Sequence, residues 1–581
     1  MKTLVVVLSR AMLARKYLLE SAMNRIAQTA FRLAEPYWTD PSQRRPAWTL
    51  ALVIVVMVVS LSGLNLWLTQ LNKQFFDALQ VLDAPAFHKA VMLFFMAVGM
   101  LVAIATAAFY LEQELDIRWR KHLTDTFVGR WLDGHTFYRI ERDNLCDNPD
   151  QRLTEDIAEY VRLMLSLSKN FIVNLGSLGT MGWVLWQSAG PMSFSVAGNT
   201  LVVPGYLFWL AVFWGVLQTL VTHLAGHRLV GFTVSQQSFE ADYRFALAKV
   251  REASEQIALY RGQEVEKRSL QGLFGEIVRN WRQIMRQNIF LNVATTSFSV
   301  VAVLVPIIAV SPKVLSGQLS LGTLMQDISA FAATTAAVAW FALSYRELFQ
   351  LSARARRLEA MRLAMAPPQP PGIRVERDAV SDDVTGMEVA LALPDGRPLS
   401  RVGEFLFEPG ARWMVRGSSG VGKSTLLRAI AGLWPFGGGE VRLPAGARVM
   451  FMPQKSYLGD GTLRDTLAYP GDPGAADDAT LGQLLHDCRL PHLAGRLDET
   501  ARWGHRLSPG EQQRLAFARA LLYRPDILFM DESSSALDND TETHLYQLVI
   551  DRLPECTVVS VAHRTTLEAF HPNTLHVAAL A

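Results

Sequence analysis

Charged side chains are what this sequence has too few of. Asp, Glu, Lys and Arg make up 19% of its 581 residues, against about 25% in ordinary soluble proteins. A bias of sign is missing too. The net charge of +2 is no basic excess of the kind nucleic-acid binding demands, so no nucleic-acid partner is expected. Cysteine is almost absent, with only Cys146, Cys488 and Cys556. Three thiols exclude a disulfide framework and show no metal-ligand spacing. Apolar side chains, by contrast, are 50% of the residues, which excludes a disordered chain or a coiled coil. The length is too great for one ordinary soluble domain.

The missing charges are missing in blocks. Residues 46–72, 90–111, 170–227, 287–312 and 328–345 hold no Asp, Glu, Lys or Arg. A bilayer-spanning helix needs about 20 apolar residues. Three blocks fit one span each. The block 170–227 must hold two, with a break at Ser188-Ala-Gly-Pro191 and Gly198-Asn-Thr200. The last extends back past Asp327 to about Leu321. Six spans are therefore expected, with both termini on one side. The connections 112–169 and 228–286 carry nineteen Lys and Arg, and the alternate connections carry three. The positive-inside bias then puts the long connections and both termini in the cytoplasm. Rich in Leu, Arg, Glu and Gln, the long connections read as helices continuing out of the bilayer.

The N-terminal run Leu4–Leu8 is too short for a signal-peptide core. Met12 and Met23 offer later starts. Residues 12–35 mix apolar and basic positions, as an interfacial amphipathic helix does. Pro367-Pro-Gln-Pro-Pro371 reads as a stiff, extended linker. The expected organisation is an N-terminal amphipathic segment over 1–45, six membrane helices with cytosolic extensions over 46–365, a linker over 366–383 and an α/β domain over 384–581. Asp327 falls in or beside the last span, where a carboxylate is a functional candidate; a solvated place at the outer interface is the plainer alternative. Trp183 and Trp186 read as interfacial belt residues.

The C-terminal part carries a nucleotide site. Gly417, Ser418, Ser419, Gly420, Val421, Gly422, Lys423, Ser424 and Thr425 fit the phosphate-loop pattern G-x-x-x-x-G-K-[ST], between a strand-like Trp413–Arg416 and a helix-like Leu426–Ala431. Backbone N–H groups at a helix N-terminus wrap phosphate. Lys423 is expected to neutralise the β- and γ-phosphates, and Ser424 to ligate Mg²⁺. Asp531 and Glu532 follow the apolar strand Ile527–Met530. Asp531 would hold the Mg²⁺ shell, and Glu532 would polarise the attacking water. ATP and Mg²⁺ are thus the expected cofactors.

Further strings resemble one ATPase class. Leu507-Ser-Pro-Gly-Glu511 resembles the ABC signature, Gln454 the Q-loop glutamine that also serves the metal, His563 the switch histidine and Ser535–Asp538 the D-loop. The resemblance to an ABC nucleotide-binding domain covers about 390–570. It implies that Ser508 and Gly510 of one subunit contact the γ-phosphate held by the phosphate loop of another. The signature departs from the commonest form at Pro509 and Glu511. The stretch 388–400 has no aromatic residue to stack on adenine, so Tyr469 is the candidate; a packing tyrosine is its other reading.

Membrane-side strings extend the resemblance. They include Asn72–Gln80, Ile117–Thr124, Asp147–Arg152 with Glu155–Ile157, and Glu240–Arg244 with Glu255–Gly262. Together they look like the SbmA/BacA-like, YddA-type transporters, akin to the peroxisomal fatty-acyl transporters of subfamily D. That resemblance implies an exporter-type six-span ABC transmembrane domain joined to a P-loop ABC ATPase, in a homodimeric half-transporter of the bacterial inner membrane. It implies ATP-driven transport, with uptake of peptides or other hydrophilic molecules as one option and export of lipid or acyl compounds as the other. Glu240–Glu266 resembles an EAA-like motif that meets the ATPase; a solvated helix face is its plainer reading.

Overall fold

A computed structural model describes residues 28–188, 190–196, 199–366, 372–562 and 564–579. Most of the N-terminal amphipathic segment, and the proline run 367–371, lie outside the described residues. The rest of the expected linker is not a linker: Ile373–Asp378 is a strand paired in parallel with Gly437–Pro444, so the α/β domain begins before residue 384. The chain forms two compact units. One runs to Thr136 and resumes over Asp143–Met365; the other joins Phe137–Arg142 to Ala366 and all that follows.

The first unit is helical. After a helix over 28–39 come α1 (Arg44–Gln80), α2 (Ala84–Leu132), α3 (Ile157–Ser188), α4 (Tyr206–Glu252), α5 (Gln263–Leu315) and α6 (Leu321–Leu343). Among the described residues, five helices are long and apolar enough to cross a membrane: α1, α2, α4, α5 and α6. The remaining one, α3, is long, but Asn170, Asn174, Ser177 and Thr180 interrupt its apolar run. Absence of charge is therefore not the same as hydropathy: the sixth span expected over this block is not matched by a helix of that apolarity, and α3 is a polar-striped helix packed against α1 and α6. Large apolar side chains lie outside. Leu52, Val56, Met92, Phe95, Phe109, Phe290 and Ile308 are all exposed, an arrangement that water would not tolerate and lipid favours.

α3 ends at Ser188, and an antiparallel hairpin, Met192–Val196 with Asn199–Val203, leads into α4. α6 starts at Leu321 behind Ser320, whose hydroxyl accepts the Thr323 N–H (3.2 Å). Side chains from α1 complete this start. Asp77 Oδ1 accepts from Gly322 N (3.1 Å), and Gln80 Oε1 from Leu321 N (2.8 Å). Two of the helix's first free N–H groups are thereby satisfied from a distant element. Position 322 must be glycine, because a Cβ there would lie 2.2 Å from the Lys73 carbonyl oxygen. Asp327 is fully buried and accepts a hydrogen bond from Ser188 of α3.

The long connections are helical but jointed. α2 stops at Leu132, and a short helix Thr136–Arg142 and a wide turn over Arg152–Asp156 precede α3. Asp156, 1% exposed, accepts from Arg354 and Arg357 (2.8 Å) on the helix Tyr345–Ala364. Between α4 and α5 lies the short helix Ser254–Leu259. Leu259 and Tyr260 there are exposed.

The second unit is an α/β domain. A parallel sheet has the strand order Asn573–His576, Arg412–Arg416, Thr557–Val561, Ile527–Asp531, Val449–Met452. Of its inner strands, Ile527–Met530 is an uninterrupted apolar run and Thr557–Val561 is fully buried, as sheets covered on both faces require. A second five-stranded sheet contains Val384–Ala392 and Pro398–Phe407. Phe407, Val415, Leu426 and Phe529 share the core beneath the phosphate loop. In the short helix Thr136–Arg142, Arg142 donates to the Leu433 carbonyl (2.5 Å) and lies 4.8 Å over the Phe436 ring.

Candidate nucleotide site

The loop Gly417–Gly422 joins the strand Arg412–Arg416 to α7 (Lys423–Ile430). Gly422 precedes the helix at φ +100°, and a Cβ there would come within 2.9 Å of Leu399. The Lys423 side chain, 6% exposed, curls into the loop and donates to the carbonyls of Gly417 (2.9 Å) and Ser418 (3.1 Å). An ammonium satisfied by loop carbonyls sits where it can be handed to phosphate oxygens. Ser424 Oγ donates to Asp531 Oδ1 (2.7 Å), so the serine and the end of the apolar strand meet. Burial pushes the Asp531 carboxyl above its ordinary value, and the neighbouring Glu532 adds to this.

Glu532 stands just past the strand end in the left-handed region, at φ +47°. A non-glycine residue there is strained by roughly 1–3 kcal/mol and persists only where its surroundings hold it. Its N–H donates to Val561 O (3.0 Å), and its Oε2 accepts from Gln454 Nε2 (3.0 Å). The Q-loop glutamine is therefore gathered to the carboxylate. His563 lies outside the described residues.

Ser508 caps α8 (Pro509–Tyr523) in a reciprocal box with Glu511. Ser508 Oγ donates to Glu511 Oε2 (2.8 Å), while His492 Nε2 lies 2.9 Å from the other oxygen. The Glu511 substitution thus has a structural use as the N3 partner of the cap. Two residues not singled out from the sequence shape the loop over 533–538. Gln513 accepts from Ala536 N (2.8 Å) and donates to Ser535 Oγ (3.2 Å). Arg564 donates to Leu537 O (2.7 Å) and Ser535 O (3.2 Å). Gln513 stands two residues past the signature, the one local signal that could have marked it.

Tyr469 is not brought to the phosphate loop. Its ring lies 5.5 Å from Tyr457 and under the Arg519 guanidinium (5.4 Å), beside the strand Val449–Met452. That strand is the sheet edge, three places from Arg412–Arg416. The packing reading of Tyr469 fits this placement, and adenine stacking does not.

A phosphate loop at the head of a parallel sheet, carried with a bundle of long apolar helices, defines a membrane-bound P-loop ATPase. Residues 37–315 match the model of ABC transporter transmembrane region 2, and 402–535 that of ABC transporter. The chain is 32% identical to the inner membrane ABC transporter ATP-binding protein YddA of Escherichia coli K12, over 92% of this chain and 94% of that one. It is 29% identical to the human lysosomal cobalamin transporter ABCD4, with 79% of each covered. Its fold is similar to a bacterial Atm1-family ABC exporter solved with ATP bound, at a TM-score of 0.72 and 18% identity, covering 93% of this chain and 94% of that chain. The chain belongs to the ABC transporter family, as a half-transporter related to subfamily D. It binds ATP and couples its hydrolysis to transport across a membrane.

Proposed function

We propose that the chain works as a homodimer in the bacterial inner membrane, with its ATPase units and termini in the cytoplasm, and takes up a hydrophilic solute. The nineteen-to-three distribution of Lys and Arg supports the orientation. The SbmA/BacA-like membrane strings support the solute class and direction. The observation that carries the catalytic part is the Ser424–Asp531 contact (2.7 Å) beside the curled Lys423.

In this reading Lys423 swings from the loop carbonyls to the β- and γ-phosphates. Ser424 and Asp531 are oxygen donors suited to a hard cation, and they would hold Mg²⁺ together with the nucleotide. Bound there, Mg²⁺ would neutralise charge developing on the γ-phosphate. Glu532 orients and polarises the attacking water, with Gln454 and His563 positioning around it. Ser508 and Gly510 reach the γ-phosphate on the partner subunit, so ATP draws the two ATPase units together and hydrolysis releases them.

The test is uptake by purified protein in sealed vesicles, with a hydrophilic peptide and an acyl lipid offered separately. ATP-dependent accumulation of the peptide, abolished by Glu532→Gln, is expected. ATP-dependent movement of the acyl lipid alone would replace this reading with lipid export.

A further inference from the structure

One face of α1 is polar although the helix lies in a membrane. Asn65, Thr69 and Asn72 follow Ser62 at steps of three and four residues, the spacing that places side chains along one helix face. They line a half-open cavity of about 460 Å³ together with Ser177 and Thr180 of α3 and Ser329 of α6, its remaining wall being apolar (Phe94, Val173 and Met181 among others). Its volume suits a small organic solute.

The hydrogen bonding of these groups is unequal. Thr69 donates to Leu66 O (2.7 Å), Thr180 to Gly176 O (2.8 Å) and Ser329 to Met325 O (3.1 Å). Each hydroxyl is thus satisfied within its own helix. The amides of Asn65 and Asn72 bind no other group of the chain among the described residues. Each offers two donors and an acceptor; Asn65 is exposed and Asn72 half-buried, so both amides are open to a solute. Among the described residues, no Asp, Glu, Lys or Arg lines the cavity. Asp327, two residues before Ser329, is turned to Ser188 instead.

Resting on the transport reading above, we propose that this cavity is the contact site for the transported solute and that it takes an uncharged segment rich in amide or hydroxyl groups. Seven residues of helix separate the two asparagines by roughly 10 Å. A segment of about three extended residue-sized units bridges that distance. Without a charged wall, the site offers no anchor to a phosphate or carboxylate headgroup.

The experiment uses the full-length protein in sealed proteoliposomes. Three probes are offered: acetyl-tetraglycine amide, maltotetraose and palmitoyl-coenzyme A. The native cysteines are buried, so an Asn65→Cys thiol can be followed with a soluble methanethiosulfonate reagent. Tetraglycine amide or maltotetraose should slow that reaction at least fivefold, and which of the two does so distinguishes amide from hydroxyl chemistry. Asn65→Leu and Asn72→Leu should each raise the half-saturating concentration of the protecting probe in ATP-driven transport at least tenfold. Asn65→Gln should restore it to within threefold of wild type. Ser60→Ala, whose hydroxyl is exposed and bound to Val56 O (2.8 Å), should leave it unchanged. Protection by palmitoyl-coenzyme A alone, protection by none of the three, or a disulfide between two Asn65→Cys chains would each overturn the proposal. Protection needs no ATP turnover. A wild type that hydrolyses no ATP therefore sinks the transport reading separately.

Discussion

Asp531 occupies a place its own charge resists. Its carboxyl is pushed above the ordinary value of 3.8 mainly by burial. Between that value and the higher native one, the folded form binds more protons than the unfolded, so stability falls as pH rises through this window. At neutral pH the whole cost is present. Asp531→Asn should therefore raise the melting temperature of the nucleotide-free protein at pH 7, with the gain disappearing as pH is lowered below about 4; a gain that stays constant with pH would contradict it. Glu532→Gln should reduce ATP hydrolysis about 10²–10⁴-fold while equilibrium ATP binding persists. Burial also pushes the thiols of Cys488 and Cys556 up to about 12 and raises that of Cys146. A thiol titration should accordingly find no reactive cysteine in the native protein at pH 7 and three after unfolding. The residues expected to hold phosphate and metal were legible because the chemistry needs them contiguous on a loop and at one strand end. Gln513 and Arg564 were not, since their role is to clasp another loop and only the folded chain brings them to it. Tyr469 misled because an aromatic near the Q-loop says nothing of which sheet edge it joins.

At the scale of elements, two strings that carried the family resemblance acquire physical reasons. Asn72–Gln80 supplies the caps of α6, and Asp147–Ile157 supplies the buried carboxylate that two arginines cover. Neither reason was visible in the sequence, because Gly322 and Arg354 lie 245 and 198 residues from their partners. The helix ends at Ser188 and Leu321 were legible, the first from the local break after it and the second from Ser320 just before it. The weak hydropathy of α3 was hidden by counting charge alone. Asp156→Ala should lower the unfolding free energy by about 2 kcal/mol. That is less than a fully buried pair would lose, because the arginines are partly exposed. Gly322→Ala should cost about 2 kcal/mol by forcing α1 and α6 apart. Thermal unfolding in detergent checks both, and an unchanged midpoint in either variant would refute the packing described.

The whole molecule is expected to act through composite sites. Ser508→Arg and Lys423→Ala should each abolish hydrolysis as homodimers. Co-reconstituted in equal amounts, they should recover roughly a quarter of the wild-type rate. Half the dimers would be mixed, and each of these pairs one intact phosphate loop with one intact signature. No recovery on mixing would mean that each chain builds its site alone. The cap that α1 places on α6 has a consequence for how such a molecule is made. The ribosome delivers Asp77 long before Gly322, so the first hairpin must wait in the membrane with its cap unfilled. The last helix is then seated by an acceptor already in place, and an insertion that goes astray early leaves it without one.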